Sequence, residues 1–105
     1  MDTKTFDKII SERLEECRNL LSYKAREYAT DDRLHNFKIA AALQGVTPIE
    51  ALAGMMAKHT VSVYDMCNGN VYPVELWGEK IGDSINYLLL LWALVMEDEM
   101  QKYPA

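Results

Sequence analysis

The chain has 105 residues, half of them hydrophobic and 26% charged, with a formal net charge of −5 and a pI of about 4.9. That is one domain's worth of ordinary globular sequence, and its 11 Lys and Arg are scattered singly, which leaves no basic stripe for a duplex phosphate backbone. The longest apolar stretch, Leu88 to Met96, is too short to span a bilayer.

The N-terminal "MDTKTFDKIISERLEE" is amphipathic and has no continuous apolar core, so no signal peptide is expected. Cys17 and Cys67 lie far apart without a CxxC pattern, as thiols of a reducing compartment do. The expected location is the cytoplasm.

The first predicted helix runs from about Thr5 to Ala29, where Phe6, Ile9, Ile10, Leu14, Cys17, Leu20, Leu21 and Tyr28 recur at helical spacing. On a wheel at about 100° per residue its apolar stripe centres near Phe6 and Cys17. Lys24 falls on the middle of that stripe, and Arg13 and Glu27 on its edge. An unpaired lysine there is costly. Either the helix end leaves the core and Lys24 snorkels into water, or Lys24 joins a buried charge network or points at an anionic ligand.

A shorter helix is predicted from Arg33 to Gln44, with Asp31 or Asp32 as its N-cap and Gly45 just past its end. The third begins at "TPIE", residues 47–50, where Thr at N-cap, Pro at N1 and Glu at N3 make a capping box. It runs to about Cys67 and stops at "NGN". Its stripe is Leu52, Met55, Met56, Val63 and Met66, with His59 near the centre, as a satisfied core histidine or as a ligand-binding one. Lys58, Ser62 and Asp65 gather on one flank, the pattern of a solvated ion pair.

The last helix is predicted from Val74 to Gln101, opened by Pro73 and Glu75. One face carries Ile81, Ile85, Leu88, Leu89, Trp92 and Met96, read here as the core stripe. The opposite face carries Glu79, Asp83 and Asn86, and then Leu90, Ala93 and Leu94. A helix that is apolar all round is buried all round, so a homo-oligomer packed through this helix is expected. Glu79 and Asp83, one turn apart, repel each other in dry surroundings. A Mg²⁺ ion, a lysine such as Lys24 or Lys58, or plain solvation would relieve them. A short strand near Val71 to Val74 is the one possible departure from an all-α chain. The expected architecture is a single all-α domain over residues 1–105, four-helix-bundle-like and either helix-swapped or packed as a homo-oligomer.

The stretches "KAREY" (24–28), "RLHNF" (33–37), "TPIEALAGMMAKHTVSVYDM" (47–66) and "ELWGEKIGDSINYLLLLWAL" (75–94) together resemble a family of small phage proteins, the nucleotide-modification-associated or MazG-like proteins. The resemblance covers nearly the whole chain. More distantly, the chain is similar to the all-α nucleoside triphosphate pyrophosphatases, the MazG and dimeric dUTPase group, which hold Mg²⁺ through acidic pairs on two helices. Gly82-Asp83 matches the second pair's motif. The glutamate expected three residues earlier is Lys80, and the nearest carboxylate is Glu79. For the first pair, Glu12, Glu15 and Glu16 are present, of which Glu12 and Glu15 fall on a polar face, and Glu27 is better oriented.

The resemblance implies a phage-encoded protein in a bacterial cytoplasm, acting on a nucleotide or nucleotide-derived molecule. In one reading, Glu27, Asp65, Glu79 and Asp83 hold Mg²⁺, which activates water for hydrolysis. Lys24, Lys58 and His59 then contact phosphate, and Asn86 orients a ligand or carboxylate. In the alternative, the same pocket sequesters a nucleotide without cleaving it, as an anti-defence sponge would, with Tyr23, Tyr28, His35, Phe37 and Tyr87 available to stack on a base beside Asn36. A third reading is a helical adaptor whose polar cluster only fixes oligomer register.

Overall fold

A computed structural model describes residues 1–27 and 30–103. Four helices account for nearly all of it: α1, Thr3–Lys24; α2, His35–Gln44; α3, Pro48–Met66; and α4, Val74–Lys102. A 3-10 turn, Ala25–Glu27, follows α1. There is no strand among the described residues, at 71–74 or elsewhere. The fold class is all-α. No single helix is long and apolar enough to cross a membrane.

The helix ends follow local chemistry. Asp2 caps α1, accepting from the Thr5 N–H at 2.8 Å, and Thr47 Oγ1 accepts from the Glu50 N–H at 3.2 Å while Glu50 Oε1 accepts from the Thr47 N–H. Gly45 takes φ +70°, the left-handed conformation that closes a helix most cheaply with glycine. The start of α2 differs from expectation by two residues. Asp32 Oδ1 accepts from the Leu34 N–H at 3.0 Å and holds a turn there, so the helix proper begins at His35. The α1 helix also ends earlier than predicted, its last turn tightening at Ala25; Tyr28 and Ala29 lie outside the described residues.

The helices stack in the order α2, α3, α4, α1, each packed on its neighbour; the body of α1 rests on α4, and its last turns also reach the turn before α2, where Arg33 Nη2 donates to the Leu21 carbonyl at 3.0 Å. They therefore form an open array whose fourth side is missing. The core fills the α2–α3–α4 end. Leu34, Phe37, Leu52 and Leu94 are buried together, with Ile49, Met56 and Leu91 against them. A polar tie closes this end, because the Lys38 ammonium bridges Asp32 at 2.6 Å and Glu97 at 2.9 Å.

That bridge lowers the Asp32 pKa, first through the Lys38 hydrogen bond and then through the Leu34 N–H. It raises the Lys38 pKa through Asp32 and then Glu97. A depressed carboxylate stabilises the fold fully above its ordinary range of about pH 4, and loses that contribution as the pH falls through its lower folded value. A raised lysine does so below its ordinary range, and loses the contribution as the pH climbs through its higher folded value. Lys38→Met should therefore melt below the native chain at pH 7, with the gap closing as the pH falls through the lowered folded value of Asp32. Thermal melts of both proteins across that range check it; a gap that persists in acid would mean that Lys38 acts through packing.

The α4 faces are the reverse of the sequence expectation. The face of Asn86, Leu90 and Leu94 turns inward, with Leu94 only 3% exposed, whereas Ile81, Leu88, Leu89, Trp92 and Met96 lie on the outside. On α1 likewise, Cys17 is buried but Phe6, Ile9, Ile10 and Leu14 are exposed.

Candidate functional site

Two clefts flank the first half of α4. What brings α1 close there is a pair of glycines one turn apart, Gly78 and Gly82. A Cβ at Gly78 would stand 3.0 Å from the Arg13 guanidinium. With that space open, Arg13 Nη1 donates to the Gly78 carbonyl at 3.3 Å and pairs with Glu16 at 3.2 Å. One turn on, Cys17 packs over Gly82. The groove left between α1 and α4 is about 410 Å³, and carries Glu16, Glu75, Glu79 and Asp83 on its walls.

The second cleft, about 290 Å³, opens where the end of α1 meets α2, α3 and α4. Its apolar lining is Leu21, Phe37, Met55 and Leu90, and its polar groups are Lys24, Asn36, His59, Asp83 and Asn86, with Tyr87 beside them. A mostly apolar concavity with a few convergent polar groups is the usual form of a small-molecule site, and this one lies at the small end of that range. The His59 ring stands 4.9 Å from the Tyr87 ring at an interplanar angle of 41°. Its Nδ1 is 3.9 Å from Asp83 Oδ2, beyond hydrogen-bond reach yet close enough to attract if the imidazole is protonated.

Asp83 and Asn86 line both clefts and so form the wall between them. Asn86 is 6% exposed, and its Oδ1 is buried without a hydrogen-bond partner among the described residues. A buried acceptor left unmade costs about 1–3 kcal/mol, and such groups are met by bound water, by an ion or by a functional contact.

Lys24, Asn36, Phe37, His59, Asp83, Asn86 and Tyr87, all singled out from the sequence, thus line one cleft. Phe37 contributes little free ring surface, because it belongs to the core. His35 on the first turn of α2 and Lys58 on the exposed side of α3 are not part of the lining, and Tyr28 lies outside the described residues. The four proposed metal ligands are dispersed. Glu27 is exposed on the 3-10 turn, Asp65 lies by Tyr64 and Cys67 at the far end of α3, and Glu79 faces the α1–α4 groove with Asp83. Among the described residues no three His, Cys, Asp or Glu side chains are grouped so as to hold a metal ion. These carboxylates, as placed, do not fit a ready Mg²⁺ site.

The sequence offers Glu16 among the acids of α1 but does not set it beside Glu79 and Asp83, and it does not show Arg13 as the contact that seats α1. The signal for both was Gly78 and Gly82, spaced to admit a neighbouring helix. No protein-family model, curated protein or solved structure matches the chain. The MazG-like resemblance accordingly stands on the quoted motifs alone.

Proposed function

We propose that the protein binds a nucleotide or nucleotide-derived anion in the 290 Å³ cleft, and holds it without cleaving it. The observation that carries this reading is the buried, unpartnered Oδ1 of Asn86 on the cleft wall. An acceptor so placed suits an N–H on the edge of a base. The His59–Tyr87 pair offers ring surface beside it, and Asp83 can accept from a second base N–H. Lys24, at the end of α1, is the cation for a phosphate. In this reading the MazG-like ancestry supplies the scaffold, and dispersal of the acidic set removes the chemistry. A phage-encoded chain of this kind would act as a sponge for a host nucleotide.

One observation favours the hydrolytic alternative. Glu16 on α1 and Glu79 and Asp83 on α4 share the adjoining groove, which places acids on two helices as the pyrophosphatase resemblance requires. A panel of mono-, di-, tri- and cyclic nucleotides, with and without Mg²⁺, separates the readings by thermal shift and by pyrophosphate release. We expect a shift of several degrees from at least one nucleotide and no turnover. Metal-dependent release would establish the hydrolase instead. A panel in which nothing shifts the melting temperature and nothing is released would leave the adaptor.

A further inference from the structure

The exposed apolar faces of α1 and α4 have no partner among the described residues. The chain's total accessible area is 7946 Å², nearly 2,000 Å² above the roughly 6,000 Å² of a compact monomer of this mass. The radius of gyration, 16.2 Å, likewise exceeds the roughly 13 Å of a closed domain of this length. A standard stable interface takes about 800 Å² from each partner, so the excess is ample for one.

The helix register says what shape the missing partner has. Arg13 meets Gly78 and Cys17 meets Gly82, so α1 and α4 run parallel with a fixed offset. The offset sets Ile9 level with the start of α4. The first turns of α1 then run about 9 Å ahead of α4 with nothing beneath them. They bear Phe6, 53% exposed, on the same face that further along seats Cys17. At the other end α4 continues well past Lys24, bearing Trp92, 62% exposed, and Met96. The α4 overhang is apolar through Met96, and the shorter α1 overhang presents Phe6 among polar neighbours. Turning a second copy by 180° about an axis near the middle of the pair sets the leading end of one α1 beside the trailing end of the other α4.

We infer that the protein is a two-fold homodimer in which the α1–α4 pairs of two copies pack antiparallel as a four-helix layer, burying Phe6, Ile10 and Leu14 of α1 and Ile81, Leu88 and Trp92 of α4. The contact is isologous and closes on itself. Between Val74 and Met96 the outward face of α4 carries no charged side chain, as the core of an obligate interface requires. A membrane surface suits it poorly, because the chain carries net charge −5 and no basic rim to meet anionic lipid. The dimer stands independently of the ligand reading, for it uses none of the 290 Å³ cleft's lining.

Sedimentation equilibrium at tens of micromolar tests it. The native chain should sediment at twice its 12.0 kDa mass. The double variant Leu88→Glu, Trp92→Glu should sediment as a helical monomer, since both side chains are exposed in the single chain and support no core. Tyr64→Glu, on the exposed side of α3, should remain a dimer. Should the double variant lose its circular-dichroism helix signal, Trp92→Ala decides, with an expected rise of at least tenfold in the dimer dissociation constant. A native monomer, a native trimer or larger assembly, or a dimer that withstands either α4 variant would overturn the proposal.

Discussion

Leu52→Ala should lower the melting temperature by about 12–24 °C. Among the described residues Leu52 is the large side chain with no exposed surface, and it sits where α2, α3 and α4 converge, among Leu34, Phe37 and Leu94. Truncating a buried leucine removes its transfer free energy and leaves a cavity, a loss of about 3 kcal/mol within an observed range of about 2–5. For a chain near this length each kcal/mol moves the midpoint by about 4–8 °C. Because a small domain has about 5–15 kcal/mol in total, this one truncation consumes a large share of it. Leu43→Ala is the control. Leu43 is a leucine of α2 left in solvent, and its truncation should shift stability by less than about 0.5 kcal/mol. Both melts must be taken at one protein concentration, since a dimer's midpoint moves with concentration. A Leu52→Ala protein that melts with the native chain would mean the core is not centred on α3.

Much of the local structure was legible because it is set by near neighbours. The capping box of Thr47 and Glu50 needs only four residues to form, and it formed where the sequence placed it. Helix existence followed from periodicity for the same reason. The start of α2 was missed because Asp32 could act as a cap or as the anchor of a preceding turn, and the choice depends on Lys38 and Glu97, the latter most of the chain away.

The α4 faces were misread for a deeper reason. A wheel ranks faces by hydrophobicity, and both faces of α4 are apolar past Asn86. Nothing local says which of two apolar faces meets this chain's own core. The distribution of polar residues along the helix held that information. Asp83 and Asn86 lie on the inward side because clefts open there, and their presence disguised an inward face as an outward one. The same logic made the cleft legible while its charge pairing was not. Lys24 and His59 stood out as polar groups on apolar stripes, and Asn86 as a polar group in line with Leu90 and Leu94, each a property of a single helix. Which carboxylates would share a groove depended on helix pairing, and that was set by Gly78 and Gly82, whose spacing admits a neighbouring helix.

Asn86→Leu separates stability from binding in one substitution. In the free chain Asn86 Oδ1 is desolvated and unpaired, so the amide costs the fold energy that an apolar group of similar branching would not. Replacing such a group by an isosteric apolar one is neutral or stabilising, by up to about 1–3 kcal/mol, and the two clefts beside it leave room for the extra volume. The free variant should therefore melt as high as the native chain or several degrees higher. The nucleotide-induced shift should vanish, since the acceptor for the base edge has gone and a leucine would strand the base N–H against an apolar wall. The two effects have opposite signs, which general damage to the fold cannot produce. A variant that melts lower while still responding to nucleotide would place the function of Asn86 in the scaffold, with its acceptor satisfied by bound water, and would remove the observation on which the ligand reading depends.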